Sequence, residues 1–322
     1  MGLLVKGEWV DQWYDTESSG GEFIRQDSGF RHWVTADGAA GMSGEGGFKA
    51  ESGRYHLYVS LACPWAHRTL IFRHLKGLTE HIGVSVVEPL MLDKGWVFAE
   101  QGDGLYGFEC LHQLYTKSSP EMTGRVTVPM LWDKQQQVVV SNESAEIIRM
   151  FNSAFDGITG NTLDFYPEQF RGQIDELNAM VYSAINNGVY RAGFATSQQA
   201  YEKAYTELFD ALDVIDCRLA KQRYLLGEAI TEADWRLFTT LIRFDAVYFG
   251  HFKTNRQRIS DYACLSQYLR DLYQQPGIAE TVNMAHIKQH YYGSHSTINP
   301  SGVVPLGPDL NLDLAHQRAT MF

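Results

Sequence analysis

Cysteine is scarce in this chain of 322 residues, since only four occur, at positions 63, 110, 217 and 264. No two of them form a CxxC pair, which excludes a dithiol redox motif, a zinc ribbon and a disulfide-dense secreted scaffold. Thiols that are few and widely spaced are typical of a reducing compartment. The sequence therefore directs attention to a single thiol that acts without a partner thiol.

Positive charge is also in short supply, with 27 Lys and Arg against 38 Asp and Glu and a net charge of −11. The chain shows neither a basic surplus nor a basic stripe, so we expect no nucleic-acid partner. No apolar run approaches the roughly 18 residues that span a bilayer, and the run before Lys6 is too short for a signal-peptide core. We therefore expect a cytoplasmic protein with no membrane partner.

Changes in composition divide the chain into four predicted parts. Residues 1–50 are rich in Gly, Ser and Asp with scattered aromatics, and we expect them to form an irregular extension packed on the body. A small α/β domain is predicted at 51–155 and an all-helical domain at 165–295. Residues 296–322, which include three prolines, are expected to form a tail.

Strand and helix patterns alternate in the first domain, on either side of an insertion at 90–123. The predicted elements are a strand at 54–60, a helix at 64–78, a strand at 82–89, strands at 125–133 and 137–141, and a helix at 142–151. A β-α-β unit implies parallel strands. The order β-α-β followed by β-β-α is the layout of a thioredoxin-like domain.

Helical periodicity dominates from residue 166 onward. Apolar residues at 201–222 recur every three or four positions. Thr231 and Asp234 have the spacing of a capping box at the start of the next helix. A third helix is predicted at 260–282, interrupted at Pro276. The predicted fold class is therefore α/β plus all-α.

Cys63 is the one cysteine in a chemically informative position, immediately after a predicted strand and before Pro64. Proline is favoured in the first turn of a helix, which puts Cys63 at the N-cap. Free N–H groups and the helix dipole stabilise negative charge there, and the thiolate is the nucleophilic form of cysteine. His67 and Arg68 in the next turn add positive potential. The other three cysteines lack this context and are predicted to be packing or surface thiols.

The string SLACPWAHRTL (60–70), together with this domain order, resembles the cytosolic glutathione transferases. CPWAHR is similar to the xi class of that superfamily, the glutathionyl-hydroquinone reductases. Further strings with the family's character are spread over nearly the full chain: EPLMLDKGW (88–96), GRVTVPMLWD (124–133), SNESAEIIRMFN (141–152), NNGVYRAGFA (186–195), YLLGEAITEADWRLFTTLIRFD (224–245) and SHSTINPSG (294–302). The resemblance implies a thioredoxin-like domain followed by an all-helical glutathione-transferase domain.

The resemblance also implies a glutathione site. Val128, before a cis proline, matches the residue that pairs with the cysteinyl backbone of glutathione. Ser144 and Glu143 match the residues that receive the carboxylate and the ammonium of the γ-glutamyl end. Trp96 and Arg125 match the remaining contacts. The local sequence pattern alone allows simpler interpretations. Glu143 and Ser144 would cap a helix, Trp96 would be a packing residue, and Arg125 would be a surface charge.

Three tyrosines lie in strings that match the family, namely Tyr190, Tyr248 and Tyr291. A phenol both donates and accepts a hydrogen bond, so near a thiolate and a hydroquinone it can hold ring oxygens and supply a proton. The resemblance makes Tyr190 the first acid/base candidate, with Tyr248 and Tyr291 in support of catalysis and hydroquinone binding. Without the family, each is a packing aromatic of a helix.

The activity implied is the reduction of glutathionyl-hydroquinones by glutathione, through a mixed disulfide at Cys63. A broader thiol transferase, of the dehydroascorbate-reductase or deglutathionylase kind, remains the alternative. A conjugating transferase fits less well, since a cysteine near the glutathione sulfur invites mixed disulfides. A non-catalytic scaffold fits less well too, since it leaves the Cys-Pro helix start unused. Glutathione is expected as a co-substrate, with no permanently bound cofactor or metal, although His286, His290 and His295 lie close in sequence. The family also implies a homodimer.

Overall fold

The computed structural model describes residues 2–321, which form two units. The first unit contains the N-terminal residues up to Trp13, Gln26–Asp164 and Thr281–His290. The second contains Tyr14–Arg25, Phe165–Glu280 and the C-terminal residues from Tyr291. The residues of the N-terminal extension are thus divided between the two units.

The strands all belong to the first unit. They are β1 (Leu3–Val5), β2 (Glu8–Val10), β3 (Tyr55–Val59), β4 (Gly83–Val86), β5 (Gly124–Arg125), β6 (Met130–Asp133) and β7 (Val138–Ser141). Four of them form a mixed sheet in the order β4-β3-β6-β7, in which β3 and β4 are parallel and the other pairs antiparallel. All five residues of β3 are buried. The predicted β-α-β and β-β-α order is confirmed.

The α-helices follow the chain through both units. They are α1 (Pro64–Leu75), α2 (Leu111–Ser118), α3 (Ser144–Ser153), α4 (Asp156–Thr159), α5 (Arg171–Met180), α6 (Gly188–Gly193), α7 (Gln198–Leu219), α8 (Glu232–Arg243), α9 (Phe249–His251), α10 (Leu265–Tyr273), α11 (Met284–Ser294) and α12 (Arg318–Met321). In the first unit α1 packs against α3. The body of the second unit, Phe165–Glu280, consists mainly of helices, so the predicted fold class is confirmed.

The start of the extension is more regular than its composition predicts. β1 and β2 form a hairpin, and β1 also pairs with β5 in a small antiparallel sheet. The two turn residues, Lys6 and Gly7, both have positive φ, at 50° and 81°, as a type I′ turn requires. The expectation of an irregular extension is therefore wrong at residues 3–10. Lys-Gly lacks the Asn or Asp that normally marks such a turn in a sequence.

The capping box predicted at the start of α8 is present. The Asp234 carboxylate accepts hydrogen bonds from the Thr231 N–H at 2.8 Å and from the Leu225 N–H at 2.9 Å. The Tyr268 hydroxyl donates to the same carboxylate at 2.8 Å. All twelve residues of α8 are buried. This helix therefore runs through the interior of the second unit, with its first turn fixed by one carboxylate.

The helix predicted at 260–282 is shorter than expected and spans only α10. Upstream, the Asp245 carboxylate accepts from the N–H of Ile259 at 2.6 Å and of Ser260 at 3.0 Å, which holds a separate 3₁₀ turn at Ile259–Asp261. Downstream, the helix ends at Tyr273, ahead of Pro276. Side-chain acceptors from other elements and the proline thus set its ends.

Two π-helical turns interrupt the helices of the second unit, at Val181–Asn186 and Phe244–Tyr248. Such turns are frequent at functional sites. Here the first turn directly precedes α6, which carries Tyr190, and the second turn includes Tyr248. Separately, none of the helices found between residues 2 and 321 has the length and apolar character needed to span a bilayer.

Candidate active site

Cys63 forms the N-cap of α1. Its backbone is extended, with φ −75° and ψ 123°, and Pro64 occupies the first helical position. The Ala66 N–H donates to Cys63 Sγ at 3.5 Å, and the thiol donates to the Val128 carbonyl oxygen at 3.4 Å. The residue is only 9% exposed. A sulfur at this position meets the positive end of the helix dipole and a directed N–H group, both of which favour a thiolate.

Val128 precedes Pro129, and the peptide bond between them is cis, as expected from the family's pattern. The pair lies just before β6, and Val128 is buried. Its carbonyl oxygen is the one that accepts from the Cys63 thiol. The structure thus brings Val128 and Cys63 together.

Glu143 and Ser144 stand at the N-terminus of α3. Glu143 is the N-cap residue, and its Oε1 accepts from the Ala145 N–H at 3.0 Å. Its other carboxylate oxygen accepts from the Ser28 hydroxyl at 3.0 Å. Ser144 is buried in the first helical position. Ser28 has no signal in the sequence, because it lies in the extension 115 residues away from Glu143.

The extension runs beside this helix start and forms an isolated antiparallel β-bridge between Arg31 and Ser141. Residues Phe30 and Asn142 exchange hydrogen bonds: the Phe30 N–H donates to Asn142 Oδ1 at 3.1 Å, and the Asn142 N–H donates to the Phe30 carbonyl at 3.2 Å. Arg31 pairs with the Glu146 carboxylate, its Nε donating at 2.8 Å. The turn that carries Glu143 is therefore held from outside the thioredoxin-like domain.

Arg68 joins the thiol helix to α3. Its guanidinium donates to Ser144 Oγ at 3.4 Å and lies 4.6 Å over the Trp65 ring, and the side chain is 1% exposed. The sequence predicted positive potential from Arg68 but not this contact. His67, its neighbour, instead has its ring Nε2 2.8 Å from Thr281 Oγ1.

Trp96 and Arg125 lie in the same unit, each with protein partners. The Trp96 ring stacks on His290, with centroids 5.0 Å apart, and His290 Nδ1 lies 2.9 Å from the Pro89 carbonyl oxygen. A carbonyl only accepts, so Nδ1 carries the proton. The Arg125 guanidinium donates to the carbonyl oxygens of Gln12 and, at 3.0 Å, Trp13.

The three tyrosines form one cluster in the second unit. The Tyr190 and Tyr291 hydroxyl oxygens are 2.5 Å apart, and those of Tyr291 and Tyr248 are 2.9 Å apart. Burial raises the pKa of Tyr248 well above its ordinary value, and a negative charge on Tyr190 raises it further while Arg243 lowers it. Burial likewise raises the pKa of Tyr291. The cluster is a continuous chain of phenols that can pass a proton along its length.

The predicted residues thus fall into two sets, each assembled within one unit. The first unit holds Cys63, Trp96, Arg125, Val128, Glu143 and Ser144, and the second holds Tyr190, Tyr248 and Tyr291. Within residues 2–321, no group of three or more His, Cys, Asp or Glu side chains is arranged to hold a metal ion. All four cysteines are free thiols.

Known proteins resemble the chain along its whole length. The glutathione S-transferase N-terminal and C-terminal domain profiles match residues 62–154 and 198–271. The glutathionyl-hydroquinone reductase YqjG of Escherichia coli K12 is 57% identical, covering 100% of both chains, and PcpF of Sphingobium chlorophenolicum, which bears the same enzyme name, is 51% identical, covering 96% of each.

Solved structures give the same likeness. The glutathione-bound structure of YqjG superposes with a TM-score of 0.92 at 54% identity, covering 99% of this chain and 100% of that one. A xi-class transferase from Natrialba magadii also has a TM-score of 0.92, at 48% identity, covering 99% of this chain and 97% of that one.

Proposed function

The chain belongs to the xi class of glutathione transferases, and on that premise we propose that it is a glutathionyl-hydroquinone reductase. The observation that carries this proposal is the single thiol of Cys63 at the N-cap of α1, in a protein 57% identical over its full length to a reductase of that name. A hydroxyl would be the expected group in a conjugating transferase, since a cysteine there invites mixed disulfides.

Glutathione is proposed to bind in extended form along the first unit. Once Cys63 is a thiolate it no longer donates to Val128, so the Val128 carbonyl can accept from the cysteinyl N–H of glutathione. Ser144 and the first amides of α3 suit the γ-glutamyl carboxylate. Glu143, with both oxygens oriented by Ala145 and Ser28, suits the ammonium.

Trp96 and Arg125 are proposed to complete the glutathione site. Two hydrogen bonds from Arg125 to main-chain carbonyls of the extension fix the plane of its guanidinium. Its charge suits an anionic tripeptide, which a protein of net charge −11 must attract locally. The stack on His290 fixes the Trp96 ring.

In the first half-reaction, the Cys63 thiolate attacks the glutathione sulfur that is bonded to the hydroquinone ring. An S–S bond forms as the C–S bond breaks, and the electron pair of that bond passes to the ring carbon. The ring carbon is a poor leaving group unless a ring tautomer takes up the electrons and a proton is delivered, for which Tyr190 is proposed as the acid. Hydroquinone leaves, and Cys63 is joined to glutathione. Tyr248 and Tyr291 support this transfer through the phenol chain.

In the second half-reaction, the thiolate of another glutathione attacks the mixed disulfide, which gives glutathione disulfide and returns the Cys63 thiolate. Overall, the ring carbon is reduced, two glutathione sulfurs are oxidised, and the second glutathione supplies the hydrogen. The expected kinetics are ping-pong. No second cysteine lies three residues on from Cys63 to resolve the intermediate early.

Two broader properties follow from this proposal. An enzyme that consumes reduced glutathione and carries four free thiols suits the cytoplasm. A homodimer is the expectation for the class, and the concentration dependence of sedimentation tests it.

The experiment is incubation of the purified protein with a glutathionylated hydroquinone and glutathione. Hydroquinone and glutathione disulfide should appear together in equal amounts. Turnover of dehydroascorbate or of glutathionylated proteins, with none of the aromatic conjugate, would instead assign the chain to the broader thiol transferases.

A further inference from the structure

Arg25 of the extension lies on the face of Tyr190. Its guanidinium carbon is 4.9 Å from the centroid of the Tyr190 ring and 5.4 Å from that of Phe23. Its Nε donates to Asn187 Oδ1 at 3.0 Å. Asn187 immediately precedes α6, the helix that carries Tyr190. Two rings and an amide thus fix the guanidinium against the phenol.

The hydroxyl groups of the tyrosine cluster form a chain in which Tyr291 is the middle member. Its oxygen lies 2.5 Å from that of Tyr190 and 2.9 Å from that of Tyr248. A phenolate at either end would accept a hydrogen bond from the Tyr291 hydroxyl. The Tyr291 oxygen would in turn accept a hydrogen bond from the phenol at the other end. Hydrogen bonding alone therefore leaves two candidates for the phenol that gives up a proton.

Burial and charge distinguish the two ends. Tyr248 is 0% exposed and Tyr190 is 8% exposed, so a charge at Tyr248 costs more solvation. Arg243 lowers the pKa of Tyr248, but burial outweighs it and the pKa stays raised. At the Tyr190 end, Arg25 adds a cation against the ring itself. A cation held over an aromatic face is attracted to it, and more strongly when the ring carries negative charge.

Other titratable groups around the cluster belong to several elements. They are Arg191, which pairs with Glu207 on α7, Arg243 at the end of α8, His251 on α9, and His295 after α11. His251 is buried, and its pKa is lowered to about 4, so its ring is neutral at neutral pH. Its Nε2 is 3.1 Å from His295 Nδ1. In addition to these groups, Arg25 holds its guanidinium over the face of the Tyr190 ring.

We propose that Arg25 is a positioning residue that makes Tyr190 the member of the cluster which delivers the proton to the departing hydroquinone ring. This role rests on the proposed function, because it assumes that a phenol is the acid of the first half-reaction. The N-terminal extension thereby takes part in the reaction through Arg25, a residue that belongs to no recognisable sequence motif. Tyr190 remains the proposed catalytic residue, and Arg25 acts through it.

The test is Arg25→Met, which keeps an unbranched, largely apolar side chain and removes the charge. Without the cation the Tyr190 phenolate is less stable, so its ionisation should move up by about one pH unit. An ultraviolet titration of tyrosinate reports this directly, with Tyr190→Phe to assign the step. Formation of the Cys63–glutathione adduct should slow by about threefold to tenfold, as Brønsted behaviour gives for an acid weaker by one pKa unit, while reduction of a preformed adduct by glutathione should be unchanged.

The matched control is Arg171→Met, since Arg171 lies 5.2 Å over the Tyr166 ring in the same unit. It should leave the Tyr190 ionisation and the adduct rate as in the parent protein. Arg25→Lys keeps the charge and should recover most of the shift, and it also serves if Arg25→Met does not fold.

An unshifted Tyr190 ionisation in Arg25→Met, or an equal shift in Arg171→Met, would overturn the proposal. So would a Lys variant that titrates as the Met variant does. If the parent protein does not turn over any glutathionyl-hydroquinone, the proposed function fails instead. The titration still decides the effect of Arg25 on Tyr190, because it needs no substrate.

Discussion

Replacing Glu143 by glutamine separates its two roles at the start of α3. Glu143 Oε1 caps the helix through the Ala145 N–H, and its second oxygen meets the Ser28 hydroxyl. A glutamine keeps the capping oxygen, and its amide can donate to Ser28 in place of accepting from it. Helix stability should therefore change by less than about 0.5 kcal/mol, while the negative charge is lost.

The loss of charge should weaken glutathione binding if Glu143 meets the ammonium. Two unit charges 4 Å apart interact by about 4 kcal/mol at an effective dielectric constant of about 20. Glu143 is half-buried, so we take about half of this, or about 2 kcal/mol, as the net effect. That corresponds to about a thirtyfold higher Kd for glutathione, measurable by titration calorimetry.

Two comparisons make this result specific. N-acetylglutathione lacks the ammonium, so the parent protein should bind it about thirtyfold more weakly than glutathione, whereas Glu143→Gln should bind both alike. Glu146→Gln is the matched control, since Glu146 lies on the same helix but pairs with Arg31. If Glu143→Gln and the parent protein discriminate equally between the two peptides, Glu143 does not receive the ammonium.

Other substitutions test the thiol, the interior of the second unit and its response to acid. Cys63→Ser should lower reductase turnover by at least about a thousandfold and give no glutathione adduct by mass spectrometry; appreciable turnover would refute the mixed disulfide. Asp234→Ala should lower the free energy of unfolding by about 3–5 kcal/mol in urea, because it leaves buried donors unpaired, and Tyr268→Phe by only about 1 kcal/mol. The pKa of buried His251 falls from 6.5 to about 4 on folding, so its stabilising contribution is complete above pH 6.5 and is lost as the pH falls towards 4, by about 3 kcal/mol. His251→Gln should flatten this part of the pH–stability curve.

Local signals predicted the features that depend on neighbours in sequence. Pro64 after Cys63 predicts a helix start with a thiol cap, and the structure has that cap. Thr231 and Asp234 predict a capping box, which is present. In both cases the partner atoms lie within three residues. The periodicity of 201–222 likewise predicts α7, displaced by three residues at each end.

Contacts between distant segments could not be predicted in this way. Ser28 bonds to Glu143, Arg68 to Ser144, and Arg25 lies over Tyr190. In each pair the two residues are far apart in sequence, so only the folded chain brings them together. The helix α2 in the insertion was missed for a related reason, since its eight residues are too few for a clear periodic pattern.

The extension contributes directly to both sets of candidate site residues. Arg25 belongs to the second unit and contacts Tyr190, and three residues later Ser28 belongs to the first unit and contacts Glu143. A segment that only covered the surface would not need a hydrogen bond to one proposed binding residue and a cation on one proposed acid. Substitution in either half should therefore affect a different step: Arg25→Met the formation of the adduct, and Ser28→Ala the affinity for glutathione. If Ser28→Ala slowed adduct formation at saturating substrate and left the Kd for glutathione unchanged, this division of roles would be wrong.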